Sequence, residues 1–123
     1  MVIFDTNMVL RYLLNDNEEM NETAKRYLLT DSVGITIEVA AEAIYVLNGL
    51  YKMDRSNVAD TLQEFLELVY CDKADVLSLA LKVYASNNLD FVDCVLYAYN
   101  RIHNHDIATF DKKLLRLLEK GSL

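Results

Sequence analysis

Short apolar runs alternate with segments of helical period along almost the whole chain, and this alternation narrows the fold more than any other feature. Val2–Phe4, SVGIT at 32–36, LVY at 68–70 and DIATF at 106–110 have the length of buried strands. Between them, Met8, Val9, Tyr12 and Leu13 follow helical spacing, and DNEEMNETAKRYLL (16–29) reads as a second helix. Its features are Asn17 as cap, acids in its first turn and Lys25-Arg26 toward its end. Helical spacing recurs in EVAAEAIYVLNGLY (38–51), in RSNVADTLQEFLELV (55–69) with Ser56 as cap, and in ADVLSLALKVYASNN (74–88). It returns in DFVDCVLYAYNRIHNH (90–105) and DKKLLRLLEK (111–120). Buried strands separated by helices predict an α/β fold of three layers. Its centre is a mainly parallel sheet of four or five short strands with helices on both faces. With no proline and 3 glycines the chain shows no linker, so a single domain over 1–123 is expected.

In such a fold ligands gather beyond the carboxyl ends of the strands, and that is where the chain sets its least expected acids. Asp5 ends the first apolar run. Asp111 directly follows the last. Glu42 stands inside VAAEAIYVL and Asp93 inside LDFVDCVLYAY. Each has a structural alternative: Asp111 suits a cap of the final helix and Asp90 a cap of the one before it. Glu18, Glu19, Glu22, Asp60, Glu64 and Glu67 fit solvated helix faces. Glu42 is the hardest to explain away, because a carboxylate on a buried helix side is costly without a partner. Carboxylates converging on one sheet edge repel one another unless a cation sits among them. Oxygen-only donors select a hard ion, Mg²⁺ or Mn²⁺. Glu38 and Glu42 share a helix face, but Glu38 falls in the first turn, where the helix dipole favours an acid. The metal role therefore goes to Glu42.

Composition sharpens this chemistry. The formal charge is −7 and the pI about 4.7, which opposes nonspecific binding to nucleic acid unless a cation bridges the two. Cys71 and Cys94 match no metal or redox spacing and read as buried, reduced thiols. The start of the chain has no signal-like segment, and no apolar run approaches the roughly 20 residues of a membrane span. A soluble, cytoplasmic protein without a membrane partner is expected. His103 and His105, two apart on a helix, read as a polar helix end, and the 8 scattered tyrosines as core or interface residues rather than a stacking platform.

VIFDTN, TIEVAAEAIYVL, LDFVDCVLYAYN and IATFDKKL resemble the ordered motifs of PIN domains, most closely the VapC-type toxin ribonucleases of prokaryotic toxin–antitoxin pairs. The resemblance spans nearly the whole chain. It departs in the short tail after Asp111 and the absence of proline. It implies that Asp5, Glu42 and Asp93 are the main metal-binding acids, with Asp111 as a fourth tied to a second metal or the attacking water. Asn7 and Thr109 then match polar positions that orient the acids. It further implies RNA as substrate, a 5′-phosphate on the downstream product, Mg²⁺ or Mn²⁺ as cofactor and a cognate antitoxin as partner. A homodimer, or a hetero-oligomer with the antitoxin, is expected. Arg11, Lys112, Lys113 and Arg116 flank two acidic motifs and are candidates to guide the RNA backbone.

Three other readings fit less well. A haloacid-dehalogenase-like phosphatase would need a second aspartate where Asn7 stands. A receiver domain would need an acidic pair at Asp5 and an aspartate ending a central strand, whereas Asp54 lies in polar KMDRS. A noncatalytic partner-binding module leaves four retained acids without a purpose.

Overall fold

The structure, a computed structural model, describes residues 1–120; the expected domain extends three residues beyond this range. Two strands, β1 (Val2–Ile3) and β2 (Val33–Gly34), pair in parallel with Val2 opposite Val33 and Ile3 opposite Gly34. LVY contributes only a single parallel bridge, Gly34 to Tyr70, held by Ile35 N–H to Tyr70 O (2.9 Å) and Tyr70 N–H to Val33 O (2.8 Å). Gly34 is closely surrounded at this junction. A Cβ there would come within 2.7 Å of Met1 Sδ, 3.1 Å of Ile3 Cδ1 and 3.3 Å of the Tyr70 carbonyl oxygen.

Seven helices surround this small sheet among the described residues: α1 (Thr6–Leu14), α2 (Glu18–Thr30), α3 (Ile37–Gly49), α4 (Arg55–Leu66), α5 (Ala74–Ser86), α6 (Phe91–His103) and α7 (Lys112–Glu119). The fold is α/β but mostly helical, and the expected sheet of four or five strands is not present among the described residues. The largest departure is DIATF, which forms no strand among the described residues. Its flanking backbone groups are taken locally: Asn104 adopts a left-handed conformation, Asn100 Nδ2 donates to His105 O (2.9 Å) and Asp111 N–H donates to Thr109 Oγ1 (3.0 Å). Such local side-chain bonds compete with a ladder, and Phe110 is left wholly exposed.

α1 packs on α2 and α3, while α5 lies between α4 and α6, with α7 against α6. The apolar faces meet in one cluster that runs from Phe4 through Ile44, Leu62, Phe65, Leu77, Leu81 and Tyr97 to Leu114. Polar stitches fix the helix pairs. Buried Asn21 donates to the carbonyls of Arg11 and Tyr12 (3.1 Å each), serving oxygens near the end of α1 that lack a helical partner. Gln63 and Ser78 exchange bonds between α4 and α5 (2.9 and 3.1 Å). Arg101 reaches the Leu118 carbonyl (3.0 Å) and ties α7 to α6. Cys71 and Cys94 are both buried free thiols, and burial pushes the Cys94 thiol up to about 12. Among the described residues no helix is long and apolar enough to cross a membrane.

Candidate active site

Helix caps position most of the acids. Asp5 follows buried Phe4 and accepts the Met8 N–H (2.9 Å) as the cap of α1. Asp111 accepts the Leu114 N–H (2.8 Å) as the cap of α7, and its own N–H is held by Thr109. Thr109 thus orients Asp111 through the backbone. Asn7 lies exposed in the first turn of α1. Asn17 caps α2 as expected (Met20 N–H, 2.9 Å), but Lys25 and Arg26 fall mid-helix because α2 runs on to Thr30. For α4 the cap is Asp54 rather than Ser56, which lies already inside the helix.

Asp90 occupies the cap position of α6 but makes no side-chain capping bond. It faces Asp93 and Asp111 instead. The carboxyl of half-buried Asp93 is raised above its ordinary value, by burial first and then by the charges of Asp111 and Asp90. These three acids, with Asn88, Lys112, Lys113 and Arg116, line a cavity of about 320 Å³. A carboxylate whose charge is disfavoured, beside two others, marks a candidate functional group, and the basic rim suits an anionic ligand.

Asp90 and Asp93 also line a second, larger groove of about 910 Å³ between α3 and α6. Its walls are apolar, including Ile44, Tyr45, Leu50, Tyr84, Phe91 and Val92, and Tyr45 and Val92 are 80% and 62% exposed. Sequence reasoning missed Arg55, which also borders this groove. Its guanidinium lies 3.7 Å over the Tyr84 ring and donates to the carbonyls of Tyr84 (2.8 Å) and Leu89. Arg55 thereby anchors the loop that delivers Asp90. An arginine opening a helix, with no acid one turn ahead to pair with it, was the only available signal.

Two expectations need correction. Glu42 is exposed, because α3 buries the stripe Ala40, Ala43, Ile44 and Leu47 and turns Glu42 outward. The cost of burying its charge therefore does not single it out. Glu38, also exposed, lies in the first turn after the cap Thr36 as expected. Arg11, a candidate for guiding RNA, is instead held by both carboxylate oxygens of Asp16 (2.8 Å each) and by Tyr51. Lys112, Lys113 and Arg116 do line the acidic cavity.

The structure thus brings Asp93 and Asp111 together with Asp90, while Asp5 stands at the end of β1 and Glu42 on the outer face of α3. No described group of three or more His, Cys, Asp or Glu side chains is close enough to hold a metal ion.

Residues 2–120 match the family model for the PIN domain. No curated protein and no solved structure matches the chain.

Proposed function

The chain belongs to the PIN domain family, usually metal-dependent nucleases, and on that premise we propose that it is a Mg²⁺- or Mn²⁺-dependent endoribonuclease. In this reading it is the VapC-type toxin of a toxin–antitoxin pair. The observation that carries the reading is Asp93, whose charge is disfavoured by burial and by Asp111 and Asp90 at a cavity with a basic rim. The donor chemistry fits a hard cation: every candidate ligand is a carboxylate oxygen. By the family's motifs Asp5, Glu42, Asp93 and Asp111 would hold it, once drawn closer together than they stand among the described residues. Once bound, such an ion supplies charge neutralisation at the phosphoryl oxygens and a water acidic enough to attack near neutral pH.

The chain's own side chains have separate tasks. Lys112, Lys113 and Arg116 receive the RNA backbone. Asp111 is fixed by its capping bond and Thr109, so its second carboxylate oxygen is presented in a set direction. Arg55 holds the loop preceding Asp90, and Asn7 lies two residues beyond Asp5, exposed in the first turn of α1. The apolar groove ending at Asp90 and Asp93 suits an antitoxin segment that is amphipathic and carries a basic side chain toward the acids. The same reading puts the protein in the cytoplasm, where it pairs as a homodimer or with its antitoxin.

The test is RNA cleavage by the purified chain. Activity should require Mg²⁺ or Mn²⁺ and stop with EDTA, and undiminished cleavage in excess chelator defeats the mechanism. The toxin assignment fails if expression does not inhibit growth and the product of the adjacent gene does not bind.

A further inference from the structure

At the end of α6 opposite Asp93, three rings converge. Tyr99 and His103 have centroids 5.9 Å apart, Tyr99 and His105 6.3 Å, and the two imidazoles 6.0 Å, with interplanar angles of 36–40°. Two residues apart on a continuous helix, the histidines would diverge. Asn104 ends the helix in a left-handed conformation (φ 58°) and turns His105 back beside His103. Both imidazoles are exposed, and Tyr99 is half-buried beneath them. Exposed Lys73, at the start of α5, brings its ammonium within 5.9 Å of the Tyr99 centroid.

From this juxtaposition we infer that Tyr99, His103, His105 and Lys73 form a docking platform for single-stranded RNA, apart from the acidic cavity. Exposed rings gathered at one place give bases a surface on which to stack, whatever their sequence, and the ammonium supplies a contact for phosphate. A transition metal held by the imidazoles is the weaker alternative. No third ligand lies close enough to complete such a site among the described residues, and Lys73 already contributes positive charge there. The platform deepens the ribonuclease reading by giving an acidic protein a place to hold its substrate. His103 lies ten residues beyond Asp93 on α6, roughly 15 Å at 1.5 Å per residue. That exceeds the Debye length of about 10 Å at 0.1 M salt, which screens the platform from the cavity acids. Asp72 and Glu38, whose charges reach Lys73, lie nearer, so ring stacking rather than phosphate attraction carries most of the binding.

The experiment is fluorescence anisotropy of a labelled single-stranded RNA oligonucleotide with the full chain in EDTA, where cleavage is off. Replacing both histidines by alanine (H103A with H105A) should weaken binding roughly tenfold or more. H103F with H105F should restore it, since phenylalanine keeps the ring and loses the ligating nitrogens. Lys73→Gln should flatten the salt dependence of binding. Unchanged affinity in the alanine variant overturns the platform, as does wild-type protein that binds no RNA. Loss in the phenylalanine variant as complete as in the alanine variant, with Ni²⁺ binding to the wild type, points to a metal site and overturns it too. Cleavage is read separately in Mn²⁺. Its absence with ring-dependent binding intact defeats the ribonuclease reading and leaves the platform standing.

Discussion

Helices α4 and α6 begin with the same device and use it differently. Each has an aspartate at the cap position, Asp54 and Asp90. Three residues on, α4 has Asn57 and α6 has Asp93. Asp54 accepts the Asn57 N–H (2.8 Å) and also its side-chain amide (3.3 Å). Asp90 caps nothing. To accept the Asp93 N–H it would have to bring its charge against a carboxylate already crowded by Asp111. The start of α4 is thus closed by its own side chains, whereas α6 forgoes a cap worth typically about 1 kcal/mol and keeps two acids facing a cavity. What distinguishes a capped helix start from an uncapped one is here a single residue, asparagine or aspartate, one turn in.

The comparison breaks most visibly at Asp93. Asp93→Asn should abolish RNA cleavage in Mg²⁺ or Mn²⁺, while Asn57→Asp should leave cleavage intact. Glu42→Gln should likewise lose nearly all activity and weaken Mn²⁺ binding, and Glu38→Gln should keep most of it. The reverse pattern in cleavage assays and calorimetric Mn²⁺ titrations would exchange the roles of the two glutamates.

Stability gives smaller and opposite effects at the two helix starts. Asp54→Ala should cost about 1 kcal/mol in denaturant melts, whereas Asp90→Ala should fall within about 0.5 kcal/mol of wild type. Asp93→Asn makes α6 resemble α4 and frees Asp90 to cap, so in EDTA at neutral pH the variant should be as stable as wild type or more so. Strong destabilisation there would mean that Asp93 is a structural carboxylate. The sign of its pH dependence follows from linkage. The carboxyl is raised on folding, so its charge costs stability above the folded pKa. That cost is relieved as pH falls through the folded pKa toward the ordinary value of 3.8. The advantage of Asp93→Asn should therefore shrink on acidification. At Asp111 the two roles separate: Asp111→Asn should keep the cap and lose activity, and Asp111→Ala should lose both. Glu38→Gln should also have a small effect, costing about 0.3–1 kcal/mol through the helix dipole.

The helices were legible in the sequence because their apolar stripes are long and their caps local. Asn17, Asp111 and the first-turn place of Glu38 needed nothing beyond the chain itself. Strands were less so. A two-residue strand such as β2 depends on partners distant in sequence, and DIATF has suitable residues but gives its neighbouring backbone groups to Asn100 and Thr109. Glu42 shows a second limit: apolar neighbours in sequence do not bury a helical residue whose own direction points outward. The family was readable from ordered motifs. The nearness of Asp93 and Asp111 was expected from those motifs; that Asp90, read as a helix cap, joins them was not, since it depends on how the start of α6 and α7 come together around one cavity.

The burial of Cys94 gives the loop beneath the acids a built-in reporter. Its Sγ lies 3.9 Å from the Leu89 carbonyl, the same oxygen that Arg55 holds, and the thiol titrates only at about 12. A thiol-specific reagent can reach it only when α5 and α6 part or the 87–90 loop lifts, so its labelling rate measures that opening rather than intrinsic reactivity. Arg55→Met, which removes the donors but keeps much of the side-chain bulk, should speed Cys94 labelling far more than Cys71 labelling. The loop that delivers Asp90 can thus be timed in its breathing without touching any residue of the acidic cavity.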